Sequence, residues 1–142
     1  MNQNLSPEII QVINDFNNTL LSLAQNVAGI CPTSVIGSNI KDIDKQIKKK
    51  DNFTKFIDLF CIKVLQYKDK IDLGKEEFFM GKNYDDDLQD QDKQADALNI
   101  VISLKSVWKD FKRENKDIVI LNMQILCELS QMYYNYIRQD FD

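Results

Sequence analysis

Apolar residues recur at three- and four-residue steps along most of this chain, which is the period of a helix buried on one face. The first such segment predicts a helix over 7–28. Ser6 is suited to cap it, Pro7 to its first position and Glu8 to the positive end of its dipole. Ile9, Ile13, Phe16, Leu20, Leu23 or Ala24, and Val27 form its stripe, with Asn14, Asn17, Asn18 and Gln25 between them. Gly29 stands where a left-handed C-cap belongs, and Pro32 stops continuation. Ile36, Ile40, Ile43 and Ile47 predict a shorter helix over 34–49, weakened by Gly37. A third helix, 53–70 with Asn52 as its cap, carries Phe53, Phe56, Ile57, Phe60, Val64 and Tyr67. Leu59, Cys61, Ile62 and Leu65 widen its stripe, as expected of a central helix.

The pattern then changes. Residues 72–92 form an acidic connection, yet Phe78-Phe79-Met80 sits inside it. Two adjacent phenylalanines need burial, so the connection is expected to be ordered, with Phe78, Phe79 and Tyr84 as anchors. A fourth helix over 93–113 carries Leu98, Val101, Leu104 or Lys105, Trp108 and Phe111, with Trp108 as a core anchor. Asn115 would cap a fifth over 116–138, with Ile118, Leu121, Ile125, Leu129, Met132 and Tyr136 on one face, broadened by Val119, Met123, Leu126, Tyr133 and Ile137. Short joins between such helices predict an all-α fold: a single-domain antiparallel bundle of about five helices spanning 1–142, with flexible ends at 1–5 and 139–142.

Composition agrees with a folded helical domain. The 142 residues include only two prolines and four glycines, and 44% are hydrophobic. The net charge of −4 argues against non-specific contact with nucleic acid or anionic lipid, so neither nucleic acid nor membrane is expected as a partner. No apolar run approaches the roughly 20 residues that span a bilayer. The polar N-terminus lacks a basic n-region, so secretion is not expected. Cys31, Cys61 and Cys127 are widely separated and read as structural thiols in a reducing compartment.

Catalytic chemistry is sparse. Without a histidine, no Ser-His-Asp or Cys-His unit can be assembled. The four glycines fit no phosphate-binding loop. Asp85-Asp86-Asp87 opens like a calcium loop, but the sixth and twelfth positions are Asp90 and Asp96 in place of glycine and glutamate. A solvated acidic stretch is the simpler reading, and no metal or cofactor is expected. Lys48-Lys49-Lys50 at a helix end reads as a favourable contact with the negative end of the dipole. Tyr133, Tyr134 and Tyr136 cannot share one helical face, so at least one should emerge as a candidate for partner contact.

Several segments in consistent order carry a family likeness: Phe16-Asn17-Asn18-Thr19-Leu20-Leu21, Tyr67-Lys68-Asp69-Lys70-Ile71, Glu76-Glu77-Phe78-Phe79, Asn83-Tyr84-Asp85-Asp86, Leu104-Lys105-Ser106-Val107-Trp108, and Met123 through Ser130. With these the chain resembles a small helical family encoded by nucleocytoplasmic large DNA viruses, relatives of mimiviruses and algal viruses. It departs from that family at Gly37-Ser38-Asn39, where the family is plainly helical. The resemblance implies a viral protein, and none of its segments is a catalytic signature. The expectation is a non-enzymatic protein that binds a viral or host protein, in the virion or the infected cytoplasm. Two alternatives stay open: a helical decoy of host cell-death or innate-immune signalling, and a metal-dependent phosphohydrolase using the Asp85–Asp96 acids.

Overall fold

Ser6 begins the first helix as its sequence context predicts: its Oγ accepts from the Ile9 N–H, and Pro7 follows at the first helical position. The structure, a computed structural model, describes residues 5–75, 104 and 107–141. Among them the helices are α1 (Pro7–Ile30), α2 (Val35–Ser38), α3 (Ile40–Lys48), α4 (Lys55–Lys63), α5 (Lys68–Leu73) and α6 (Arg113–Phe141). Short 3-10 turns at Lys50–Asn52, Leu65–Tyr67 and Trp108–Asp110 join or precede them. The fold is all-α, and no strand occurs among the described residues. No helix among them is long and apolar enough to cross a membrane.

Several boundaries differ from the sequence expectation, each for a local reason. Gly29 is not a left-handed cap. The helix runs through it to Ile30, and the only positive φ among the described residues belongs to Gly74. The 34–49 segment is two helices. Asn39 closes α2 and opens α3, and its side-chain amide donates to the Val35 carbonyl. Gly37 makes this packing possible, because a Cβ there would lie 2.4 Å from the Cys31 carbonyl oxygen and 2.5 Å from that of Pro32.

The 53–70 segment also divides. The α-helical run ends at Val64, which keeps right-handed backbone angles, the chain tightens through Leu65–Tyr67, and α5 restarts at Lys68. This turn lays α5 on α6: Ile71 becomes fully buried, and the Gln124 amide donates to the carbonyls of Ile71 and Asp72. Gly74, at φ +69°, supplies the left-handed C-cap here. Asn52 does not cap α4. Thr54 stands at that position without a side-chain cap, and Asn52 donates to the Gln46 carbonyl. Asn115 lies inside α6; the expected fourth helix is helical at Leu104 and Val107, gives way to a 3-10 turn at Trp108 and is extended at Phe111, while its remaining residues before Val107 lie outside the described residues.

The core lies where α1 and α4 meet α6. Phe16 and Phe60 are fully buried and pack edge to face with centroids 5.0 Å apart. Along α6 the buried face is Val119, Met123, Leu126, Cys127, Ser130 and Tyr133. Of the stripe expected to face inward, Ile118, Leu121, Ile125 and Met132 are exposed, while Leu129 and Tyr136 are half-buried against the core. Both stripes have helical spacing, so periodicity alone could not choose between them. The small and polar members of the buried face make room for α4. The start of α1 meets the end of α6, where the Ser6 N–H donates to the Tyr136 hydroxyl.

Candidate functional site

The three tyrosines near the C-terminus separate into distinct environments. Tyr133 is buried, and its hydroxyl donates to Asp58 Oδ1 at 2.6 Å, linking α6 to α4. Burial foremost, and then this carboxylate, push its ionisation upward. The half-buried Tyr136 receives the Ser6 N–H. Tyr134 is exposed, with the Arg138 guanidinium 5.5 Å from its ring centroid. Only Tyr134 therefore presents its ring to a partner without first leaving an intramolecular hydrogen bond to another helix or to the N-terminal segment. Trp108 is a buried anchor, with Phe111 at 5.8 Å and the Lys116 ammonium over its ring. Phe78, Phe79 and Tyr84, and the Asp85–Asp96 acids, lie outside the described residues.

The thiols are held away from reactivity. Burial pushes Cys61 and Cys127 up to about 12, with Asp58 and Asp72 respectively adding to the effect. The Cys61 Sγ donates to the Ser130 carbonyl at 3.4 Å. No cluster of three or more metal-ligating side chains occurs among the described residues. A shallow recess between Asp72 and Ile125 holds two carboxylates, but Lys68 Nζ lies 2.6 Å from Asp72 and 3.0 Å from Glu128. Its ammonium bridges the two carboxylates and offsets one of their two charges, so both acids are already engaged within the fold.

A larger cleft of about 840 Å³ opens between α1 and the join from α3 to α4. On the α1 side Ile10, Asn14, Asn17, Asn18 and Leu21 follow one another at helical steps. Ile47 and Phe53 face them from the other wall. Lys48, Lys49 and Lys50 stand on the rim beside Asp51. The helix-end reading of the lysine run holds for Lys48, which lies in the last turn of α3 and pairs with Asp44 at 3.0 Å. Lys49 and Lys50 follow that turn and are exposed.

Asn17 fixes the floor. Its Nδ2 donates to the Phe53 carbonyl at 3.0 Å, tying the α3–α4 join to α1, while its buried Oδ1 has no partner among the described residues. The sequence pattern puts Asn17 on the polar side of α1, but it is only 8% exposed. A signal for this exists: Ile13, Asn17, Leu20, Ala24 and Val27 step by four, three, four and three, so the asparagine occupies a core register. The cleft itself leaves no mark in the sequence, since its two walls are separated by more than 20 residues.

Comparison with protein-family models, curated proteins and solved structures gives no match to this chain.

Proposed function

We propose that the protein is a non-enzymatic interaction protein, an antiparallel helical bundle that acts in the virion or the infected cytoplasm. In this reading an amphipathic helix of a partner seats in the cleft between α1 and the α3–α4 join. The supporting observation is the cleft: a groove whose walls carry Ile10, Leu21, Ile47 and Phe53 among asparagines and whose rim is charged, which suits helix-in-groove recognition. A decoy of host cell-death or innate-immune signalling is the version of this reading that such a groove favours, because a captured signalling helix would be withheld from its own receptor. The viral setting rests on the sequence resemblance.

Lysine-directed cross-linking with mass spectrometry, on purified particles and on infected-cell lysate, tests the reading. Cross-links from Lys49 or Lys50 to one particle protein support a structural role, and cross-links to one host protein support the decoy. Recovery of abundant protein with cross-links only within itself would overturn both.

A further inference from the structure

The α1 wall of the cleft is amphipathic along its length. Ile10 and Leu21 are eleven residues apart, about 16 Å at 1.5 Å per residue. Asn14 and Asn18 lie between them and are exposed. An uninterrupted alkyl chain laid along this wall would strand those amides against hydrocarbon. A helix of three turns has the same length, and its apolar face can meet Ile10 and Leu21 while polar side chains flanking that face reach the Asn14 and Asn18 amides. The rim adds a sign. Lys48, Lys49 and Lys50 set three ammoniums against the single lining carboxylate of Asp51, and Asp44 pairs with Lys48 from outside. On a chain whose net charge is −4, this is a local reversal.

We propose that the cleft selects an acidic amphipathic helix of about three turns, with Lys49 and Lys50 reading its carboxylates and Ile10, Leu21, Ile47 and Phe53 taking its apolar face. This rests on the helix-receiving reading above and adds the charge and length of the occupant. Rim charges act mainly on encounter rate and on the rejection of like-charged partners, so selectivity should fall as salt is raised.

The test uses the full chain and two fluorescent 12-residue stapled helical peptides with one leucine stripe, one carrying Glu and Gln on its polar face and the other Lys and Gln. Anisotropy should show the Glu peptide binding at least tenfold more tightly than the Lys peptide. The double variant Lys49→Glu with Lys50→Glu, both exposed positions, should reverse that order. Amide shifts in a 15N-labelled sample should concentrate at the cleft residues, and Ile10→Glu should abolish them. Binding of both peptides within twofold, with shifts at the cleft, would overturn the charge selection and leave the groove reading standing. Binding of neither, or shifts confined to the outer face of α6, would overturn the groove reading as well.

Discussion

The hydroxyl of Tyr133 on α6 donates to Asp58 Oδ1 on α4 at 2.6 Å, joining two helices that are 75 positions apart in sequence. A hydrogen bond to an ionised acceptor is among the stronger single contacts in a fold, at about 1.5–3 kcal/mol. Tyr133→Phe should therefore cost about 1–3 kcal/mol in urea unfolding, the lower end reflecting the partial exposure of Asp58. Tyr134→Phe keeps the ring over which Arg138 lies and should change stability by less than about 0.5 kcal/mol. Equal losses for the two variants would mean that the Asp58 contact contributes nothing net.

Two glycines make opposite predictions. Gly29 lies within α1, and a Cβ added there would meet nothing within 4 Å, so Gly29→Ala should stabilise by about 0.5–1 kcal/mol through helix propensity. Gly37 also lies in a helix, but its Cβ would press on two carbonyl oxygens at 2.4 and 2.5 Å. Gly37→Ala should destabilise by more than about 1 kcal/mol despite the same propensity gain. Thermal unfolding of both variants checks the signs. A stabilising Gly37→Ala would show that the Cys31–Pro32 turn yields readily.

Alkaline pH should weaken the fold. Burial holds the Cys61 and Cys127 thiols up to about 12, against an ordinary 9.0. Between those values the unfolded chain has released each thiol proton while the native chain still holds it. The native state thus binds more protons, and unfolding free energy falls as pH rises. The stabilisation is fully present below about pH 9 and is lost progressively toward pH 12. For the nearly inaccessible Cys127 the limiting slope is about 1.4 kcal/mol per pH unit. Cys127→Ala should flatten the decline measured between about pH 8 and 10.5, whatever it costs at neutral pH. An unchanged slope would assign the alkaline loss to other groups.

How much of this was legible in the sequence depended on the distance over which the deciding contacts act. The start of α1 was legible because Ser6, Pro7 and Glu8 act within one turn. The division at Val64 was not, because what favours it is the seating of Ile71 and the Gln124 amide against α6, more than 50 positions away. The same limit applies to the two stripes of α6, whose choice of inward face depends on contacts such as that of Ser130 with Cys61 of α4, 69 positions away. Of the candidate interaction residues, sequence reasoning reached the exposed Tyr134 but could not assemble the cleft, whose walls come from Ile10–Leu21 and from Ile47–Phe53.

Ser130 and Asn17 each bury an oxygen with no partner among the described residues, yet their substitutions should act in opposite directions. The Ser130 hydroxyl is fully buried and makes no hydrogen bond, so it carries a desolvation cost with nothing returned. Ser130→Ala removes that cost and favours the helix, and the Cys61 contact survives because it uses the backbone carbonyl. A gain of about 0.5–2 kcal/mol is expected. Asn17 differs because its Nδ2 satisfies the Phe53 carbonyl. Asn17→Ala would strand that carbonyl and loosen the floor of the cleft, with an expected loss of about 1–3 kcal/mol. Paired urea titrations decide the matter. If Ser130→Ala were destabilising by more than about 0.5 kcal/mol, its hydroxyl would have to bond back to a carbonyl in the preceding turn of α6, the usual recourse of a helical serine.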